Sequence, residues 1–367
     1  MLSPKFKRNI LRIIPFGLIW LIFGTIYLIL EKGLIGDLDY YPSTGNPYEF
    51  GGVNILVTLI FIAITGLVVG CFEILYLNKL FNKKSFSRKL LYKSMIYVVI
   101  IITFLLILTV ISNSIELQTS AFDKLVWINV WNFFLSFAFW SVVLYLTVLI
   151  GVTLFFSEVS ENLGLLVLHN FFIGKYHKPI EEERIFMFLD MKSSTTIAEK
   201  LGHVRYFEML KEYYSDFSDP IIQYAGEIYQ YVGDEIIVSW RIKSGLHNNN
   251  CLKCFFAMKE SLSNQSKKYK STFGISPTFK AGYHLGKVTT GEIGVLKKEI
   301  IFTGDVLNTA ARIQGLCNTY NVDILISDQL RNKLLLDSEF QTLSMGKSEL
   351  RGRKENVELF TVNLLKN

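Results

Sequence analysis

"RIFMFLDMKSSTTIAEK", residues 184–200, reads as one element running into another. Ile185 to Leu189 are apolar without a break, and so short a run bounded by charge predicts a strand. Asp190 ends it, and Ser193, Ser194 and Thr195 are small polar residues of the kind that open a helix. Working outward, 195–218 predicts a helix, "GEIYQYVGDEIIVSW" (226–240) two strands around a tight turn, and 251–268 a helix. "TFKAGYHLGKVTTGEIG" (278–294) predicts a strand and turn, 305–319 a helix, "DILIS" (323–327) a strand, and 356–362 a closing strand. Strand–helix–strand–strand–helix–strand with additions is the order of a ferredoxin-like α+β layer.

The first half of the chain is different in kind. Half of the 367 residues are hydrophobic (50%) and the formal net charge is +6; such a balance suits a partly membrane-embedded chain. The apolar excess lies before residue 160. Four runs there, 11–30, 53–77, 94–112 and 127–156, reach the ~20 residues that cross a bilayer as a helix. The first is too long, and lacks the small-residue cleavage site, for a removable signal peptide. The expected plan is a four-span membrane domain at 1–156, a coupling helix and linker at 157–183, and a globular domain at 184–367. Lys5, Lys7, Arg8 and Arg12 flank the first span, and Lys79, Lys83, Lys84, Arg88, Lys89 and Lys93 fill the second connection. "EKGLIGDLDYYPSTGNPYEFGG" (31–52) and "NSIELQTSAFDK" (113–124) are poor in Lys and Arg. That asymmetry predicts a multi-pass integral membrane protein in the lipid bilayer with both termini cytoplasmic. The basic excess sits at membrane edges rather than in one stripe, so no nucleic-acid partner is expected.

Glu73 falls in the cytoplasmic half of the second span. It reads first as a side chain reaching the interface, second as a functional carboxylate. Residues 157–184 continue the fourth span with a helical apolar period and break at Pro179, the pattern of a coupling helix and hinge. Cys251 and Cys254 form one CxxC without a second ligand pair, and read as reduced packing cysteines.

Asp190 at a strand end and Asp234 in the turn of a strand pair can converge in a ferredoxin-like sheet, as oxygen ligands for hard divalent ions. The helix opening after Asp190 offers unpaired backbone N–H groups to phosphate oxygens. In "IFTGDVLNTAARIQ" (301–314), Asn308 and Arg312 stand four residues apart, one above the other on one helix face. As an ordered set, "FLDMKSSTTIAEKLG", "YVGDEIIVSW", "YHLGKVTTGEIG" and "TGDVLNTAARIQ" resemble the catalytic domain of class III nucleotidyl cyclases, over about residues 184–363.

The resemblance implies a membrane-bound adenylate cyclase, with guanylate cyclase as the alternative. It implies that Asp190, Asp234 and the carbonyl of Met191 hold two Mg²⁺ (or Mn²⁺) per site. Asn308 and Arg312 would position the ribose and stabilise the pentavalent phosphorus. Ser193, Ser194, Thr195 and Arg351 would meet the phosphates, and Gln230 and Ile301 occupy the two base-reading positions. Gln230 stands where the family has Lys; its amide serves either purine, and Ile301 reads neither. The substrate implied is ATP, or GTP. Each site in such enzymes takes its Asp pair from one protomer and its Asn/Arg pair from the other, which implies a head-to-tail homodimer. A receptor that binds nucleotide without turnover is the competing reading, disfavoured by the intact Asp190, Asp234, Asn308 and Arg312. A diguanylate-forming enzyme lacks its GG-[DE]-E-F hairpin here.

Overall fold

The computed structural model describes residues 4–36, 38, 40, 50–81, 84–336, 339–350 and 356–365. The chain separates into two compact units, one of residues 7–169 and one of residues 170–367 with 1–6. Lys83 and Arg351, and half of the connection at 31–52, lie outside the described residues.

The N-terminal unit is helical: α1 (Pro4–Ile35), α2 (Gly52–Phe72) running through a π-helical turn (Glu73–Leu77) into α3 (Asn78–Phe81), α4 (Phe86–Glu116), α5 (Lys124–Leu135), α6 (Phe137–Leu163) and α7 (Leu165–Phe172). Four helices are long and apolar enough to cross a membrane: Pro4–Ile35, Gly52–Phe81, Phe86–Glu116 and Phe137–Leu163. Small residues let α1 and α2 meet closely, as expected where apolar burial alone gives no driving force. A Cβ on Gly66 would stand 2.7 Å from Trp20, and one on Gly70 2.9 Å from Phe16.

The apolar run at 127–156 is not one helix. Ser136 is extended (ψ 151), its hydroxyl donating to the Phe133 carbonyl and accepting from the Phe139 amide, so it caps a new helix in mid-run. Gly164, at φ 88, likewise ends α6 within the segment expected to continue helically to Pro179. The strand expected from 184 begins four residues earlier, at Ile180.

Glu73 does not reach out to an interface. It is fully buried at the start of the π-helical turn, 2.6 Å from Nζ of Lys93, and accepts a hydrogen bond from the Tyr97 hydroxyl at 3.1 Å. Lys93, expected as a basic flank, is itself fully buried and also binds Glu158 (2.6 Å) and Asn78 (2.5 Å), with Lys89 3.4 Å from Glu158. Charges in so apolar a bundle are tolerated because they neutralise each other and are hydrogen-bonded.

The C-terminal unit is built on β1 (Ile180–Met191), α8 (Ser194–Leu201), α9 (His203–Gln223), β2 (Glu227–Val232), β3 (Glu235–Arg241), α10 (Ile242–Leu246), α11 (Asn250–Phe273), β4 (Phe279–Ile293), β5 (Glu299–Thr303), α12 (Asp305–Leu316), β6 (Ile324–Ser327), α13 (Asp328–Lys333), β7 (Phe340–Ser348) and β8 (Val357–Leu364). The sheet runs β2-β3-β1-β4-β6-β8-β7, with β5 on β4. Its first four strands are the ferredoxin-like core, antiparallel and with β1 central. Alternation along β1 sends Ile185, Met187, Leu189 and Met191 to the core beneath α9 and α11, and Phe186 and Phe188 to a second core beneath α12. Cys251 and Cys254 are buried free thiols in the first core. The helix expected over 195–218 is two, parted at Gly202 (φ 75). α10, β5, α13 and β7 add to the expected element list.

Replacing Lys93 with Met would leave Glu73 buried without its cation and Glu158 with Lys89 alone, at 3.4 Å. The expected cost is about 3–5 kcal/mol, read as a lower midpoint of thermal unfolding in detergent, whereas Met at the exposed Lys84 should change little. Equal midpoints for the two variants would mean that the cluster is not the bundle's electrostatic tie.

Candidate active site

Asp190 is the last even-numbered residue of β1, so it shares a face with Arg184, Phe186 and Phe188 and opens beneath α12. The register carries Leu189 opposite Ile236, and β2 and β3 close through Gly233 and Asp234, with Gly233 at φ 62. Only glycine takes that left-handed turn without strain. Tyr214 of α9 pins it, donating its hydroxyl to the Gly233 carbonyl at 2.7 Å. The result is a pair of adjoining carboxyl groups, Asp190 and Asp234.

Burial first, and then the neighbouring Asp234, push Asp190 up to about 6. Lys280, its cross-strand partner on β4, stands 3.5 Å away and pulls the other way. Burial and the same two carboxylates raise Glu235 to about 7 and Tyr206 to about 12. Gln314 of α12 donates its amide to Asp190 Oδ2 at 3.2 Å.

The two ends of this sheet face contrast. Arg184 is buried and satisfied, bonded to Glu182 (3.0 Å), Glu227 (2.8 Å) and Ser239 (2.8 Å). Asp234 Oδ2 is buried with no hydrogen-bond partner. An orphaned carboxylate oxygen beside a second carboxylate of raised pKa fits a hard divalent cation, which takes one or two carboxylates and completes its shell from water and phosphate. No cluster of three or more His, Cys, Asp or Glu donors occurs among the described residues, so any ion would need those further ligands.

Ser193 lies in the left-handed region (φ 56), with Ser194 and Thr195 opening α8 beside it. A cleft of about 270 Å³ borders Ser193, with Lys192, Lys280, Cys317, Asn318, Asn321 and Val322 as its other walls. Met191 is buried, paired with Phe279.

α12 rests on β4 through two glycines. A Cβ on Gly282 would run into the Gln314 backbone and stand 2.7 Å from the Ala310 carbonyl, and one on Gly286 would be 3.2 Å from Val306. The face so seated holds Val306, Ala310 and Ile313. At about 100° per residue, Asn308 and Arg312 fall on the side turned away from it. Asn308 is exposed; Arg312 is half-buried, and one guanidinium nitrogen has no hydrogen-bond partner. Among the described residues, neither hydrogen-bonds or ion-pairs with Asp190 or Asp234. One chain thus brings each pair together and keeps the pairs apart. Gln230 on β2 is exposed and Ile301 on β5 half-buried; their neighbours Tyr229 and Phe302 join the two strands, with rings 4.8 Å apart and the Phe302 amide donating to the Tyr229 hydroxyl at 3.3 Å. Lys280, Glu235 and Gln314 escaped the sequence reading, because only the sheet register and the seat of α12 bring them to Asp190.

A family model described as "Adenylate and Guanylate cyclase catalytic domain" matches residues 176–364. Adenylate cyclase 2 of Rhizobium meliloti (strain 1021) is 32% identical over 222 residues, 60% of this chain and 61% of that protein. Adenylate cyclase 1 of the same organism is 27% identical over 187 residues, 49% of this chain and 27% of that protein. A receptor-type guanylate cyclase of Caenorhabditis elegans is 25% identical over 169 residues, 45% of this chain and 15% of that protein. The chain spans less than two thirds of the length of each of these relatives.

The raised Asp190 has a consequence for stability. Its folded pKa of about 6 exceeds the ~3.9 of an unfolded Asp. Ionisation therefore penalises the fold: the penalty is absent below about pH 4, grows as pH rises toward 6, and is constant above. Asp190→Asn escapes it. In metal-free buffer this variant should unfold at a higher temperature than the parent at pH 7.5, and the gap should narrow as pH falls toward 4.5. A gap independent of pH would show that the fold does not raise the Asp190 carboxyl.

Proposed function

The chain belongs to the family of adenylate and guanylate cyclase catalytic domains, and on that premise we propose that it converts ATP to 3′,5′-cyclic AMP and pyrophosphate at sites shared by two copies. The observation that carries this reading is the division of the chain's polar groups. Asp190 and Asp234 adjoin, with one buried oxygen unpaired, while Asn308 and Arg312 face away from them with one guanidinium nitrogen unpaired. Two half-sites that do not meet within a chain are what a head-to-tail dimer would complete twice.

In the reaction the ribose 3′-oxygen loses its proton and bonds to the α-phosphorus, and the bond to the bridging oxygen of pyrophosphate breaks. Asp190 and Asp234, with the Met191 carbonyl, would hold Mg²⁺ or Mn²⁺, whose chemistry is to neutralise phosphate charge and acidify the attacking hydroxyl. Arg312 brings a fixed charge and planar donors to the crowded phosphorus, and Asn308 orients the ribose. Backbone N–H groups of Ser193, Ser194 and Thr195 receive phosphate oxygens at the opening of α8. The Gln230 amide pairs with the base edge while Ile301 packs against it. ATP is taken as substrate because a relative similar over 60% of this chain is named an adenylate cyclase; GTP is the second reading, supported by the amide of Gln230, which can serve either purine.

The reading extends to the rest of the chain. Residues 1–156 would anchor it as a multi-pass protein with both termini cytoplasmic, 157–183 would link, and 184–367 would form the catalytic part.

The test is product analysis after incubating purified full-length protein with Mn²⁺ and either ATP or GTP. Asp190→Ala, Asp234→Ala and Arg312→Ala should each lose at least ten-fold in turnover while staying folded. Mixing Asp190→Ala with Arg312→Ala chains should recover part of the activity, because each heterodimer rebuilds one complete site. A mixture that stays inactive although heterodimers form would overturn the shared site. The absence of any cyclic nucleotide from the parent protein would overturn the activity.

A further inference from the structure

Three of the polar side chains on helix α12 point two ways. Asn308 and Arg312 lie on its outer side, whereas Gln314 lies on the flank turned toward β1, 7% exposed, with its amide on Asp190 Oδ2 at 3.2 Å. Lys280 approaches the same oxygen from the sheet at 3.5 Å. The helix cannot lift from the sheet to loosen this bond without losing its seat, since the Gln314 backbone rests directly over Gly282.

We infer that Gln314 is a positioning residue: it fixes the Asp190 carboxylate and ties it to the helix that presents Asn308 and Arg312. The inference rests on the proposed shared site. There it has a particular consequence, because the Asp190 held by Gln314 serves one site of the dimer while Asn308 and Arg312 of the same helix serve the other. α12 is then a rigid bar between the two sites. A buried amide donating to a carboxylate holds it in one rotamer, and such supporting bonds around metal-ligating groups are worth about 10–100-fold in metal affinity. A Gln with only a packing role would be replaced without loss by an apolar residue of the same length.

Gln314→Met keeps length and volume and removes the donor; Gln314→Asn keeps the donor and shortens its reach. In the full-length protein without nucleotide, both should weaken Mn²⁺ binding about ten-fold, measured by calorimetry or by the free-Mn²⁺ electron paramagnetic resonance signal, with thermal unfolding showing the fold retained. With ATP, the Mn²⁺ concentration for half-maximal rate should rise more than the saturating rate falls. In heterodimers of Asp190→Ala with Arg312→Ala chains, adding Gln314→Met to the chain that keeps Asp190 should lower activity severalfold more than adding it to the chain that keeps Arg312. Parent-like Mn²⁺ affinity in both variants, or equal losses from either chain of the heterodimer, would overturn the inference. The Mn²⁺ arm needs no turnover, so failure of the cyclase reading would appear separately, as a parent protein that binds Mn²⁺ and makes no cyclic nucleotide.

Discussion

The contact of α12 with the two glycines of β4 is the constraint from which the rest of the catalytic unit follows. With no side chain at Gly282 or Gly286, helix and strand approach until the backbone at Ala310 and Gln314 lies against the sheet. That closeness has three effects. It lets Val306 and Ala310 share one small core with Phe186, Phe188, Ile237 and Val288. It brings the Gln314 amide within bonding distance of Asp190. It also fixes the rotation of the helix, and so the outward aim of Asn308 and Arg312. A helix held off by even one methyl group would satisfy none of the three, since well-packed interiors do not absorb such a change without shifting backbone.

The parts of this arrangement legible in the sequence are those written in short local patterns. An unbroken apolar run ending in Asp190, a Gly-Asp pair between two strand-like runs, and an Asn and Arg one helical turn apart each state their local geometry. The order of elements then names the layer. What was not legible depends on register. Lys280 meets Asp190 because β4 pairs with β1 at that position, and nothing in "TFKAGY" announces the partner. Glu235 looked like a strand residue and becomes the third acid near the pair. Breaks at single residues were equally hidden: Ser136, Gly164 and Gly202 sit in segments whose apolar periodicity continues on both sides, so the pattern hides the break that backbone conformation makes.

The N-terminal helical unit teaches the same lesson in charge. Glu73, Lys93 and Glu158 come from α2's π-helical extension, α4 and α6, and each alone invites a reading as an interfacial side chain. Brought together they are fully or almost fully buried, two carboxylates sharing one ammonium with Lys89 3.4 Å from Glu158 as the second cation; Lys93 is bonded to Asn78 and Glu158, and Tyr97 to Glu73. Lys93, Tyr97 and Ile101 recur at four-residue steps as the buried stripe of α4. That stripe, more than any single charge, marks Lys93 as an inward-facing residue.

α6 therefore enters the last third of its length clamped to α4 through Glu158, and through Lys93 to Glu73, and it ends five residues later, at Leu163. Between that end and β1 lie Gly164 and Gly174, both left-handed, and one helix of eight residues. A twist applied to α6 is not carried to the catalytic unit along a continuous helix, because each glycine frees a backbone rotation that a helix would lock. If the four apolar helices lie in a bilayer, as proposed, such a connection would still carry proximity: two copies held in one membrane would meet at an effective concentration far above that of free chains. On the shared-site reading, proximity is the quantity that matters, since neither half of the site works until a second copy supplies the other.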